Sequence, residues 1–133
     1  MNTQSEKIYS KHQLEQIRLG KEAGIDTFYY ENPEFNIMQM AQIRMGLEQK
    51  LDVSVYAKPK YVSFQMEEIR KGLLNQVNVS LYASQKMSYE KMKQIRKGLQ
   101  EGIDLTRYSS LPPAMLQVLR RSIRSKINII PYI

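Results

Sequence analysis

The chain has no cysteine, one histidine, no long apolar run and no acidic residue after Asp104. Each absence excludes something. Without cysteine there are no disulfides and no thiolate chemistry, which fits a cytosolic setting. With only His12 and no unrepeated carboxylate cluster, no metal-ligand spacing and no nucleophile–base pair can be read. The reading is therefore of a protein that is not an enzyme and needs neither metal nor cofactor. No stretch approaches the ~20 apolar residues of a membrane span. The first seven residues, Met-Asn-Thr-Gln-Ser-Glu-Lys, lack the apolar core of a signal peptide. A cytoplasmic, non-membrane protein is expected. Asn78-Val79-Ser80 matches a glycosylation acceptor, but Asn78 is better explained as repeat drift.

Acid is missing where base is concentrated. Residues 1–66 carry eight basic and eight acidic side chains; residues 67–133 carry twelve basic and five acidic. The whole net charge of +7 thus falls in the second half. Such asymmetry points to an acidic partner for that half, either a protein surface or nucleic acid.

What is present is a repeat. Ile-Arg-x-Gly recurs every 26 residues, at Arg18, Arg44, Arg70 and Arg96. An acid or amide follows each Arg by eight (Asp26, Asp52, Asn78, Asp104) and a Tyr by twelve (Tyr30, Tyr56, Tyr82, Tyr108). Leu14, Met40, Met66 and Met92 precede it by four. A degenerate fifth copy, two residues early, has Leu119-Arg120 with Ser122 in the Gly slot, Asn128 and Tyr132. Fixed-period self-similarity of this kind marks one stacked supersecondary unit. The expected units are about 9–34, 35–60, 61–86, 87–110 and 111–133, in one repeat domain.

Each unit holds one amphipathic helix, expected near 11–23, 37–49, 63–75, 89–101 and 113–125. Met66, Ile69 and Leu73 share one face at i, i+3 and i+7. Ser10 with Gln13, and Asn36 with Gln39, have capping-box spacing, and Ser88 can also cap. Gly24 and Gly102 suit a left-handed helix stop. Lys50 and Gln76 occupy that place in the second and third copies, so the stop is expected to vary. In the return segments, Leu51, Val53 and Val55 alternate like a strand. Asp52 could instead cap a helical turn bringing Val53 and Tyr56 inward. Arg107 and Pro131 break the alternation. The favoured fold is all-α: a short solenoid of about five 26-residue helix-plus-short-turn repeats. The alternative is an α/β solenoid of leucine-rich-repeat type.

The repeated residues read as scaffold. Arg18, Arg44, Arg70, Arg96 and Arg120 are expected to brace the array by pairing with Asp26, Asp52 and Asp104, since a guanidinium fork suits carboxylates. The mid-helix Gly costs about 1 kcal/mol relative to Ala, so its recurrence implies a close neighbour, a backbone or a Tyr ring. Tyr30, Tyr56, Tyr82 and Tyr108 are expected half-buried between repeats.

Identity then lies in the slots that vary. Those at −3, +1 and +4 from each Arg form one helical stripe away from the Met/Ile/Leu face. Its formal charge runs −2, −1, 0, +2, +2, ending in Lys93, Lys97, Arg121 and Arg124. These four are the candidate partner-binding residues. An acidic protein surface is preferred to nucleic acid because the first half is neutral. The gradient also allows head-to-tail self-association.

Gln39–Ala57 and Gln65–Ala83, reading Gln-Met-x-x-Ile-Arg-x-Gly-Leu and then an Asp/Asn-Val-Ser-x-Tyr-Ala return, resemble short repeats of uncharacterised proteins from gut Firmicutes, their phages and conjugative elements. The resemblance covers nearly the whole chain. It implies a bacterial or phage cytosolic setting and a small factor acting on a host protein or handling DNA. The first copy departs most, with Lys21 for Leu and Phe28-Tyr29-Tyr30 in its return segment.

Overall fold

A computed structural model describes residues 8–129, with the side chains of 127–129 left aside. Five helices follow in order: α1 (Lys11–Glu22), α2 (Ile37–Glu48), α3 (Ser63–Leu74), α4 (Tyr89–Gln100) and α5 (Pro113–Ile129). Between them lie single 3₁₀ turns, Thr27–Tyr30, Val53–Val55, Val79–Leu81 and Thr106–Tyr108. No strand occurs among the described residues. The all-α repeat of a long helix plus a short turn is therefore the fold, and the strand reading of the return segments is excluded. Asn128 lies in α5, so it opens no return segment there, and Tyr132 lies outside the described residues. By its contacts the chain divides into two compact units, residues up to Arg70 and residues from Lys71.

Local chemistry sets these boundaries. Ser10 and Asn36 close capping boxes with Gln13 and Gln39, and Ser88 caps α4. Each satisfies backbone N–H groups that a helix start leaves without partners. The helix ends are uniform, contrary to expectation. Lys50 and Gln76 adopt positive φ (61° and 60°), as Gly24 and Gly102 do (73° and 77°). At all four ends the following residue donates its N–H back to the carbonyl of the repeated Gly: Ile25 to Gly20, Leu51 to Gly46, Val77 to Gly72 and Ile103 to Gly98. This Schellman geometry makes the left-handed residue obligatory whatever its side chain.

The Asp or Asn of the first three return segments caps the turn that follows it, and Asp104 makes the same bond one residue ahead of the N-cap Leu105. Asp26 accepts from the Phe28 N–H, Asp52 from Ser54, Asn78 from Ser80 and Asp104 from Thr106. The turn then buries its first and fourth residues in the first three copies: Thr27 with Tyr30, Val53 with Tyr56, Val79 with Tyr82.

In the N-terminal unit the core comprises Ile17, Tyr30, Phe35, Met40, Ile43, Val53, Tyr56, Tyr61, Met66 and Ile69. In the C-terminal unit it comprises Val79, Tyr82, Met92, Ile95, Ile103, Leu105 and Leu116. Helix α1 packs on α2, and α4 on α5. Gln13 donates to the carbonyls of Pro33 and Phe35, and Gln39 to those of Pro59 and Tyr61. The start of one helix thus sits beside the approach to the next, so the return segment has carried the chain back a full helix length.

Candidate functional site

Three of the four repeated glycines make room for tyrosine. A Cβ on Gly20, Gly46 or Gly72 would collide with the hydroxyl of Tyr30, Tyr56 or Tyr82. These rings are fully buried rather than half-buried. The Tyr30 hydroxyl donates to the Gln16 carbonyl at 2.7 Å, and the Tyr56 hydroxyl to the Gln42 carbonyl at 2.6 Å. Burial pushes the Tyr30 phenol up to about 12, and raises the Tyr56 phenol as well. They are neutral structural donors, unavailable as stacking platforms.

Tyr108 departs from the pattern. It is 36% exposed, and the Arg107 guanidinium lies 5.5 Å from its ring centre. Leu105 fills the space against Gly98, where a Cβ would also meet the Ile103 carbonyl at 2.7 Å. The expectation of a Tyr108 between repeats is corrected accordingly. The cause is length. Arg96 and Arg120 stand 24 residues apart, against 26 for each earlier pair. The missing residues fall between the Tyr and the next helix, and the 3₁₀ turn starts one residue later in its repeat.

The expected Arg–Asp ladder is also corrected. Arg44 and Arg70 donate from Nε to the Gln16 and Gln42 side chains at 3.1 and 2.9 Å. Arg120 does the same to Gln94 at 3.2 Å. A second bond runs from Arg70 to Gln49 and from Arg120 to Glu101. In each case the arginine reaches the residue two before and, where a second bond is made, the residue five after the equivalent Arg of the preceding helix. Asp26 and Asp52 are instead occupied as caps, and Asp104 accepts from the Thr106 N–H and hydroxyl. Sequence reasoning missed the amide at −2. Its signal was present, since the slot holds Gln16, Gln42, Glu68 and Gln94 at 26-residue steps.

The first arginine has no preceding helix among the described residues. Arg18 is half exposed and forms ion pairs with its own Glu15 and Glu22. The guanidinium holds the Glu15 carboxyl below its usual range through a hydrogen bond. Glu48 pairs with Arg44 at 2.7 Å. The acidic end of the varied stripe is therefore largely engaged by the scaffold arginines. Arg96 and Arg120 are buried, and Arg96 also bonds Gln100.

The basic end lies on α4 and α5, which the Arg120 bonds hold in register. Lys93 and Arg121 are exposed, and neither side chain has an ion pair or hydrogen bond among the described residues. Lys97 is half-buried. Arg124 is exposed but shares Glu101 with Arg120, at 3.2 Å. A depression of about 220 Å³ in the same unit is lined by Ser84, Lys86, Met87, Lys91 and Ser109. No group of three or more His, Cys, Asp or Glu able to hold a metal occurs among the described residues, and no described helix is long and apolar enough to cross a membrane.

No protein-family model, curated protein or solved structure matches the chain.

Proposed function

We propose that the protein is a non-enzymatic helical repeat that binds an acidic protein surface through the basic stripe on α4 and α5. One observation carries this reading. The repeated arginines of this unit are buried and bonded, whereas Lys93 and Arg121 project from adjacent helices with no ion pair or hydrogen bond among the described residues. Arg124 adds a partly neutralised guanidinium beside them. Exposed basic groups on a rigid helical pair attract an acidic surface and speed its capture. On its repeat resemblance, the protein is a cytosolic phage or mobile-element factor acting on a host protein.

The test is the double variant Lys93→Glu/Arg121→Glu. Neither side chain supports the fold, so unfolding free energy should stay within about 0.5 kcal/mol of the parent. Affinity purification from a bacterial host should recover an acidic protein with the parent and lose it with the variant. Equal recovery by both would overturn the assignment. A second reading, nucleic-acid binding, is favoured by Lys86 and Lys91 with two serines in one depression, a set suited to phosphate. It requires duplex affinity falling with salt at a log–log slope of about −0.9 per neutralised phosphate. Failure to bind DNA or RNA at low salt removes it.

A further inference from the structure

The fifth copy reverses the chemistry of two slots. Five residues before each earlier repeated Arg stand Gln13, Gln39, Gln65 and Lys91, and two before it Gln16, Gln42, Glu68 and Gln94. The fifth copy places Met115 and Val118 there. In earlier copies these slots serve the next unit. Gln13 and Gln39 donate to the chain leading into α2 and α3, and Gln16, Gln42 and Gln94 accept from the arginine of the following helix. Polar residues thus stand where the slot is covered, and apolar ones where it is open: Met115 is 55% exposed and Val118 65%. An uncovered face of a repeat array ordinarily carries polar residues, which keep it soluble. An apolar pair in that place points to a covering surface from outside.

Met115, Val118 and Ser122 recur at i, i+3 and i+7, a narrow seam along α5. Ser122 is exposed and small, so another helix can approach closely. Two cations edge the seam. Arg121, three after Val118, lies on one side, and Lys126, four after Ser122, on the other. Both are exposed, and neither has an ion pair or hydrogen bond among the described residues. No acid follows Asp104, so no carboxylate of α5 offsets them. A narrow apolar seam between cationic edges matches one face of an amphipathic helix with acids on its flanks, the charge pairing that sets partner choice in coiled coils. Other occupants fit worse. The α5 of a second copy would set cations against cations. Helix α1 of a second copy has its Glu15 and Glu22 held by Arg18. A further repeat stacked here would find neither of the amides that earlier joints use. A lipid surface calls for a broader apolar face than Met115 and Val118 provide.

We infer that α5 docks an acidic amphipathic helix of a partner protein along Met115, Val118 and Ser122. The inference rests on the acidic-partner reading above and names the element that partner presents. The probe is a synthetic peptide of about four helical turns, with Leu along one seam, Glu on both flanks and Ala elsewhere. It is titrated into the full chain while backbone amide resonances are followed by NMR. Saturable shifts along α5 are expected, and a peptide with Lys on the flanks should bind about tenfold more weakly. Met115→Gln/Val118→Gln restores the residue type of the earlier copies, so the melt should be unchanged and the response lost. Equal binding of both peptides, no saturable shift up to the solubility of the Glu peptide, or binding only to vesicles of phosphatidylglycerol and phosphatidylcholine would each overturn the inference. So would a dimer in sedimentation that Met115→Gln/Val118→Gln abolishes. The two readings fail separately, because this variant keeps Lys93, Arg121 and Arg124. If it binds the peptide as the parent does, the seam is refuted and the basic stripe stands. If Lys93→Glu/Arg121→Glu captures its acidic protein as the parent does, the stripe is refuted.

Discussion

Tyr56 and Tyr108 occupy the same slot of the repeat, four residues after an Asp. Tyr56 is fully buried with its hydroxyl on the Gln42 carbonyl, whereas Tyr108 is 36% exposed against Arg107. What distinguishes them is the chain that follows. Six residues lead from Tyr56 to α3 and four from Tyr108 to α5. The arginine bonds show which demand took priority. Arg120 keeps the bonding positions on α4 that Arg70 has on α2, so helix register is preserved and the shortened return segment absorbs the loss. Leu105 then takes the place against the glycine. Helix register is thus the stiff part of this fold and the return segment the adaptable part, which is also where Phe28 and Tyr29 depart from the repeat.

The largest effect is expected at the tyrosines themselves. Tyr56→Ala empties a fully enclosed ring site and should cost about 3–5 kcal/mol. Tyr108→Ala removes a surface ring and should cost less than about 1 kcal/mol. Denaturant melts of the two variants decide it. Similar losses would mean that Tyr108 is buried in solution and that length does not govern the slot.

The glycines sharpen the same point. Gly46→Ala drives a methyl into the Tyr56 hydroxyl and should destabilise by about 1–3 kcal/mol. Phe at position 56 removes the struck oxygen, so Gly46→Ala with Tyr56→Phe should cost less than the two changes summed. Gly98→Ala meets Leu105 and the Ile103 carbonyl instead, so combining it with Tyr108→Phe should be additive. Coupling between 98 and 108 would contradict the geometry of the fourth copy.

Alkali probes the buried phenols without mutation. The Tyr30 phenol is raised to about 12 by burial, above the ordinary value near 10. A group whose folded pKa lies above its unfolded pKa contributes stability fully below the unfolded value and loses it as pH rises through the folded one. Stability should therefore hold to pH ~10 and fall between pH 10 and 12. Constant stability to pH 12 would place the Tyr30 ring in water.

Much of this was legible in the sequence, for a physical reason. Helices written by a 3.6-residue apolar period and started by Ser10, Asn36 and Ser88 depend on local chemistry, so their boundaries followed from it. The mid-helix Gly was readable because an unfavourable residue that recurs must accommodate something large. The arginine partners were not. Asp52 keeps step with Arg44 merely because both keep step with the repeat, and a common period is no evidence of contact. The actual partner, the amide of Gln42 or Gln94, looks like any polar helix residue. The fate of Tyr108 was equally hidden, since its slot is intact and the missing residues lie beyond it. Of the basic residues on the stripe, Lys93 and Arg121 stand exposed without an ion pair or hydrogen bond among the described residues, while Glu101, the C-cap of α4, reaches Arg124, a contact that spacing alone does not reveal.

The smallest effect tests the feature the second and fourth copies share. Lys50 and Gly102 end their helices in the same left-handed conformation, at φ 61° and 77°. An L-residue there is strained by about 1–2 kcal/mol through its Cβ. Glycine relieves that strain but adds freedom to the unfolded chain, worth about 0.4–1 kcal/mol in the opposite direction. The balance predicts that Lys50→Gly raises stability by about 0.5–1 kcal/mol, while Gly102→Ala lowers it by a similar amount. Lys50→Ala keeps the Cβ and should change little, which separates backbone strain from any contribution of the lysine charge. A stability loss in Lys50→Gly would show that the Lys50 side chain contributes more than its backbone strain costs. The helix stop would then be held in the second copy by a contact, not by the Schellman geometry alone.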